Sequence, residues 1–323
     1  MTITTAVSHP NIAFIKYWGN RNDELRLPAS SSLSMNLAGL QTRTAVEFDS
    51  SLRNDTLLIN RDTASQDQQR RVSDFLDLVR QLASIKTKAR ITTESNFPSG
   101  AGIASSSSAF AALALAASTA AGLSLDEQSL SRLARRGSGS AARSVPSGFV
   151  VWQTSDKDGD SFGVSIAPPE HWALVDCIAI VSEREKAIGS TEGHKLAATS
   201  TLQAARLAGA PHRLELCTKT ILDRDFSTLA DLIELDCHLM HAVMMTSHPP
   251  LHYWMPASLA IMEAVRGWRR DGLSVCYTLD AGPNVHVLCP AGEADHLCAR
   301  LEGIPGVIRV LRAGPGGPAR IID

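Results

Sequence analysis

"FPSGAGIASSSSAF", residues 97–110, decides how the chain is read. Two glycines are followed by four consecutive serines, then by alanines and a phenylalanine. Pro98 ends a strand, Gly100 and Gly102 permit positive φ and close backbone approach, and Ser105 to Ser108 sit where a helix begins. The first N–H groups of a helix have no internal partner and the helix dipole adds positive potential there, so an anion fits. Serine hydroxyls add donors and can support a Mg2+ shell. No GKS or GKT follows, which excludes a Walker loop. A Ser-capped helix after a tight turn accounts for these residues as well as a phosphate cradle does, and one loop does not decide between them.

Around this stretch the chain reads as mixed strands and helices. Short apolar or alternating runs at 11–18, 43–48 and 88–94 predict strands, as do "SGFVVWQT" (147–154) and "ALVDCIAIVS" (173–182). Between them, 65–84 places Val72, Phe75, Leu76, Val79 and Leu82 at helical spacing. Further helices are predicted over 104–121, over 125–136 with Ser124 or Asp126 as N-cap, and over 191–208, 213–245 and 256–272. "SVCYTLDAG" (274–282) and "NVHVLCP" (284–290) suggest a hairpin turning at Gly282-Pro283, and "IRVLRAG" (308–314) a closing strand. Early hairpins mixed with helices point to α+β layers rather than a regular βαβ array. The expected division is 1–185 and 186–323, although no Pro-, Gly- or Ser-rich linker marks it.

Composition narrows the function classes. The chain has 323 residues, 44% of them hydrophobic, enough to bury a large core. A net charge of −2 offers no basic field for nucleic acid or a membrane surface. The longest apolar stretch, "AFAALALAASTAAGL" (109–123), is Ala-rich and too short to span a bilayer. The opening "MTITTAVSHP" lacks the basic and apolar regions of a signal peptide. Cys177, Cys217, Cys237, Cys276, Cys289 and Cys298 are widely spaced, with no CxxC pair. They read as reduced thiols, so the expected compartment is the cytoplasm. His238 and His241, three apart on a predicted helix, have no third ligand in reach by sequence and are expected to be core or groove histidines.

Three other stretches carry candidate chemistry. In "RRGSGSAARS" (135–144), Ser138, Gly139 and Ser140 can form a second anion nest, and Arg143 offers a planar fork to a carboxylate or phosphate. In "HPNIAFIKYWGN" (9–20), Lys16 lies among Ile15, Tyr17 and Trp18, unlike a surface lysine, although a snorkelling stem on a strand edge fits too. In "TLDAGPN" (278–284), Asp280 ends an apolar strand, either to satisfy turn N–H groups or to present a base.

"PNIAFIKYWG", "ELRLPASSSLSMNL", "NFPSGAGIASSSSAFAALALA", "RRGSGSAARS" and "LDAGPN", in that order along nearly the whole chain, resemble the diphosphomevalonate decarboxylase family of the GHMP kinase superfamily. The resemblance implies a ribosomal protein S5-like N-terminal half, a ferredoxin-like C-terminal half and an active site in the cleft between them. It further implies ATP and Mg2+, decarboxylation of a phosphorylated mevalonate, first of all mevalonate 5-diphosphate to isopentenyl diphosphate, and a homodimer. Position by position, Asp280 matches the acid at the substrate 3-hydroxyl, Arg143 the carboxylate clamp and Lys16 the lysine near the transferring phosphate. Tyr17, Ser138, Gly139, Ser140 and Ser190 match substrate contacts. Pro98, Gly100, Gly102, Ser105, Ser106 and Ser107 match the ATP-phosphate loop, with no protein metal motif beyond a Ser106 hydroxyl for Mg2+. Asn11 is expected to support Lys16 or Asp280.

One departure bears on substrate. Where the family reads "KYWGK", this chain has Asn20. Losing a charge-assisted contact costs about 1.5–3 kcal/mol, roughly ten- to a hundredfold in affinity. Either Arg21 replaces the lysine, or the substrate is the monophosphate and the product isopentenyl phosphate. A GHMP small-molecule kinase such as a mevalonate 3-kinase would keep the Gly/Ser loop, but Asp280 together with Arg143 argues against it.

Overall fold

One sheet runs through both halves of the chain and a second closes on its two ends; the computed structural model describes residues 3–98, 103, 105–184 and 188–322. The first strands are β1 (Thr4–Ser8), β2 (Asn11–Ile15), β3 (Asn20–Asn22), β4 (Leu27–Pro28), β5 (Ser32–Ala38) and β6 (Thr42–Asp49). Next come β7 (Thr56–Ile59), β8 (Asp62–Thr63), β9 (Lys88–Ser95), β10 (Phe149–Trp152) and β11 (Gly163–Ala167). The C-terminal strands are β12 (Leu174–Ile180), β13 (Cys276–Thr278), β14 (Val285–Pro290), β15 (Arg309–Pro315) and β16 (Arg320–Ile322).

The larger, eight-stranded sheet has the order β11-β10-β5-β15-β12-β14-β13, with β2 also paired to β5. β15 therefore joins β5 of the first half (Gly314↔Ala38) to β12 (Ile178↔Leu311). The six-stranded sheet, β16-β1-β6-β9-β7-β8, brings the two ends together at Thr5↔Ile322. Its β7–β9 pair is parallel and its other pairs are antiparallel. The expected division at 185/186 falls outside the described residues.

The first helices cover the six-stranded sheet. α1 (Gln66–Ala83) starts at a Ser65–Gln68 capping box, and its buried Phe75, Leu76 and Val79 match the apolar spacing. α2 (Ser105–Ala120) is Ala-rich because it is covered on most sides; Phe110, Ala111, Leu113, Ala114 and Ala117 share a core with Val46, Ile91, Phe75 and Leu130. α3 (Glu127–Gly137) takes Asp126, not Ser124, as its N-cap: the Asp126 carboxylate accepts the Ser129 N–H at 2.7 Å.

Helix boundaries in the second half differ from the sequence expectation. α4 (Ser190–Leu196) ends in a short 3-10 turn at Ala197–Thr199, and α5 (Gln203–Asp223) runs straight through Pro211. Arg206, Ala210, Arg213, Cys217 and Ile221 form one continuous buried face on α5, and that burial outweighs the missing N–H of the proline. The break lies instead at Arg224, whose φ of 58° ends α5, and at Asp225, which caps α6 (Phe226–Met245). α7 (Pro256–Arg270) and α8 (Ala294–Glu302) pack on the C-terminal strands of the eight-stranded sheet in a core of Ile261, Val265, Leu297 and Leu301 with Val175, Tyr277 and Val287.

The hairpin forms as expected, with Tyr277↔Val287 in register, but β13 stops at Thr278 and Asp280 stands in the loop beyond it. Among the described residues no helix is long and apolar enough to cross a membrane. All six cysteines are free thiols.

Candidate active site

A cavity of about 940 Å³ opens between β2, the start of α2, the turn after α3 and the β13–β14 loop. Lys16, Arg143 and Asp280 all line it.

Lys16 immediately follows β2, and the second half of the chain holds its backbone. Asp236 Oδ2 on α6 accepts the Lys16 N–H at 2.6 Å. Arg206 on α5 donates to the Lys16 carbonyl at 2.6 Å and to the Trp18 carbonyl at 3.1 Å. Arg213 bridges the two, donating to Asp236 Oδ1 at 2.7 Å and to the Arg206 carbonyl at 2.9 Å. With its backbone fixed, Lys16 is 1% exposed, not a snorkelling surface residue, and its Nζ donates to Asp280 Oδ1 at 2.7 Å. Asp280 keeps 25% of its side chain open. Burial pushes the Asp280 carboxyl up, but the charges of Lys16, His286 and Arg143 outweigh it and hold the group below the ordinary carboxylate range.

Arg143 lies on a 3-10 turn, Gly139–Ser144. Its Nε donates to Ser34 Oγ at 3.0 Å, Nη1 to Ser32 Oγ at 2.6 Å and Nη2 to Asn11 Oδ1 at 3.2 Å. Ser32 and Ser34 point to one face of β5 because strand side chains alternate. The Trp152 ring lies 6.0 Å away. These partners orient the guanidinium without neutralising it. Burial pulls it down to about 10, with the Asp280 charge opposing, so it is a cation at neutral pH. Asn11 therefore serves Arg143, and its amide nitrogen reaches Ser144 Oγ at 2.8 Å; it makes no hydrogen bond to Lys16 or Asp280.

Tyr17 is walled in by His194, stacked at 4.0 Å, and by Trp152, edge-on at 4.8 Å. A Cβ on Gly139 would stand 2.6 Å from the Tyr17 ring, which is why glycine is required there. Gly19 takes φ +93° in the turn that follows, its N–H donating to His194 Nδ1 at 2.9 Å. Ser105, Ser106, Ser138, Gly139, Ser140 and Ser190 all line the cavity. Ser106 Oγ and Ser138 Oγ are 3.1 Å apart, so the start of α2 and the turn after α3 meet at one place. α2 carries no acidic residue in its first turn. Ser107 is instead fully buried, and Pro98 lies three residues past the end of β9 and off the cavity wall. Gly100 and Gly102 lie outside the described residues.

Asn20 and Arg21 are not part of the cavity wall. Asn20 links Tyr17 OH to Asp23, donating to Asp23 Oδ1 at 2.8 Å. Arg21 is paired with Asp156 and donates to the Pro28 carbonyl at 3.2 Å. Besides Lys16 and Arg143, the cations that line the wall are Arg26, Arg70, Arg71 and Lys195. The motif reading assigned none of these four, nor Ser32, Ser34, His194, Arg206 or Asp236. Only the quoted "ELRLPASSSLSMNL", which contains Arg26 and both serines, held a signal for any of them.

His241 is buried against Trp254 at 4.9 Å, and burial pulls its ring down to about 3, with the Lys16 charge adding to the shift. His238 bonds Tyr277 OH at 2.8 Å. Among the described residues no group of three or more His, Cys, Asp or Glu side chains is placed to hold a metal.

Residues 8–163 match the family described as diphosphomevalonate decarboxylase-like N-terminal domain, and residues 177–306 the mevalonate 5-diphosphate decarboxylase C-terminal domain. The diphosphomevalonate decarboxylase of Candida albicans is 39% identical over 308 residues, covering 90% of this chain and 85% of its own length. A solved complex of MDDEF with MVAPP, AMPPCP and magnesium superposes with a TM-score of 0.93 at 36% identity, covering 99% of both chains. The mevalonate diphosphate decarboxylase of Staphylococcus aureus superposes at 0.94 with 32% identity, over 99% of this chain and 98% of that one. These matches run the length of the α+β, GHMP kinase-type fold, and the chain that carries Lys16, Arg143 and Asp280 on one cavity wall belongs to the diphosphomevalonate decarboxylase family.

Proposed function

We propose that the protein catalyses the ATP-dependent decarboxylation of mevalonate 5-diphosphate to isopentenyl diphosphate, with ADP, phosphate and CO2 as the other products. The observation that carries this reading is the convergence on one cavity of an ionised Asp280 held by Lys16 and an Arg143 free of any carboxylate partner among the described residues. A kinase alone needs no second, uncompensated cation for a carboxylate.

Asp280 is a weak base in this setting, because its neighbours favour the charged form. It accepts the hydrogen bond of the substrate 3-hydroxyl and aims that oxygen. A loose phosphoryl-transfer transition state asks little more, so the proton can pass to Asp280 late. Lys16 neutralises charge at the same oxygen. Phosphorylation turns a poor tertiary leaving group into a good one, and the C–O pair departs with phosphate. The C–C pair of the carboxylate then closes the double bond as CO2 is released. Arg143 holds that carboxylate in position while positive charge builds at C3.

ATP, as its Mg2+ complex, supplies the phosphoryl group. Ser105, Ser106 and the start of α2 fit its phosphates: N–H donors and hydroxyls, with no acid in the first turn to oppose an anion. The metal would be held by phosphate oxygens and the Ser106 hydroxyl. Free thiols at all six cysteines support a cytoplasmic enzyme. A homodimer is the assembly we expect from the family.

A second reading is favoured by one observation: position 20 is an amide engaged with Tyr17 and Asp23, off the cavity wall, and Arg21 is paired elsewhere. Mevalonate 5-phosphate would miss the absent lysine less. Steady-state rates with each ester at saturating Mg-ATP, following both CO2 and ADP, test the two together. A higher kcat/KM for the diphosphate upholds the first reading and a higher one for the monophosphate the second. ADP release without CO2 from either would leave a kinase.

Arg143→Lys tests the carboxylate clamp. It keeps the charge but loses the fork that satisfies Ser32, Ser34 and Asn11 together. We expect KM for the phosphorylated mevalonate to rise about ten- to a hundredfold; unchanged kinetics would dismiss the clamp.

A further inference from the structure

The short turn between β3 and β4 puts an arginine in an unusual backbone state at the cavity. Arg26 has φ 50°, a left-handed conformation that non-glycine residues adopt at a cost. Its Nε donates to the Arg136 carbonyl at 2.9 Å, and neither terminal amino group has an acceptor among the described residues. Arg71, opposite, donates one amino group to the Gly137 carbonyl at 2.9 Å, packs over Phe110 at 4.7 Å and leaves Nε buried without a partner. Burial pulls both guanidinium groups down, Arg71 to about 10, and the charge of Arg26 adds to the shift of Arg71. Both guanidinium groups line the cavity; the charge of Asp23 supports Arg26, but neither arginine forms an ion pair with an acid among the described residues.

Capping the C-terminal end of α3 explains the two bonds to Arg136 and Gly137. It does not explain why the rest of Arg26 lines the cavity beside Tyr17, or why a left-handed position holds an arginine and not glycine or asparagine. A dianion entering between Arg26 and Arg71 would satisfy the open donors and remove the repulsion. Position 20 cannot supply that charge, since Asn20 is an amide already engaged on both its oxygen and its nitrogen.

We propose that Arg26 is the specificity-determining cation for the C5 phosphoryl end of the substrate, supplying from the β3–β4 turn the charge that position 20 lacks. This rests on the function proposed above. Arg26→Gln removes the charge and keeps the reach; Arg26→Lys keeps the charge. For Arg26→Gln the KM of the preferred mevalonate ester should rise about ten- to a hundredfold, with kcat and the KM of Mg-ATP close to wild type. Arg26→Lys should recover most of that loss. A role confined to capping α3 would lower Tm in both variants and leave the substrate KM alone, which overturns the proposal. So would a rise confined to the KM of Mg-ATP. Calorimetric binding of inorganic pyrophosphate is read in parallel and needs no turnover. If wild type decarboxylates neither ester, the proposed function fails; if pyrophosphate binds wild type and Arg26→Gln equally, the Arg26 assignment fails by itself.

Discussion

Asp280→Asn lowers kcat by about a thousandfold while Mg-ATP binding survives. The substitution keeps size and one acceptor oxygen, so the β13–β14 loop has little reason to move. It removes the charge that aims the substrate hydroxyl and the counterion of a lysine that is 1% exposed. ATP phosphates are assigned to the start of α2, on another part of the wall, so nucleotide affinity is a control within the same protein. The pH profile supplies a second check. Because the carboxyl is held below its ordinary value of 3.8, the active, ionised form persists as pH falls and is lost only below the normal carboxylate range. An acid limb near pH 6 in wild-type kcat would assign the base to another group. Near-native turnover in Asp280→Asn would do the same more directly.

Asp236→Ala should cost about 3–5 kcal/mol of stability, the range for breaking a buried ion pair from one side. Asp236 is fully buried, and its two oxygens serve Arg213 and the Lys16 N–H. The alanine leaves a buried guanidinium and a buried N–H unpaired, with Arg206 close by as a second cation. At about 2–4 °C per kcal/mol for a chain of this order of size, Tm should fall by roughly 10 °C. The milder Asp236→Asn keeps one acceptor and should lose less. Thermal unfolding of both variants beside wild type decides the matter, and an alanine variant within about two degrees of wild type would mean the network is not holding the Lys16 backbone.

Much of the site was legible because its chemistry is local in sequence. Lys16, Arg143, Asp280 and the serine-rich start of α2 each stand in a short stretch whose residue types betray them. What escaped depends on contacts between distant parts of the chain. Asp236 meets Lys16 across 220 positions, and Ser34 meets Arg143 across 109. Nothing in "ASSSLS" says which serines point inward until β5 has its register. Arg206 and Asp236 were hidden in helical stretches whose break was expected between 208 and 213 and stands at Arg224–Asp225 instead. Asn11 was expected beside Lys16 or Asp280 and bonds Arg143 instead, for the same reason: its partner is a matter of which strand lies beside which turn. The α+β class was readable from the alternation of periods, whereas the passage of one sheet through both halves was not.

That shared sheet has a consequence for how the protein is made. The strand that joins β5 to β12, and the one that covers β1, are both built from residues after 308 and so leave the ribosome well after the strands they pair with. Until they arrive, β1 presents a bare edge and β5 lacks part of its pairing. Folding of the first half during translation must therefore stop short of completion. The nascent chain, with strand edges exposed, is the state that depends on protection from its neighbours.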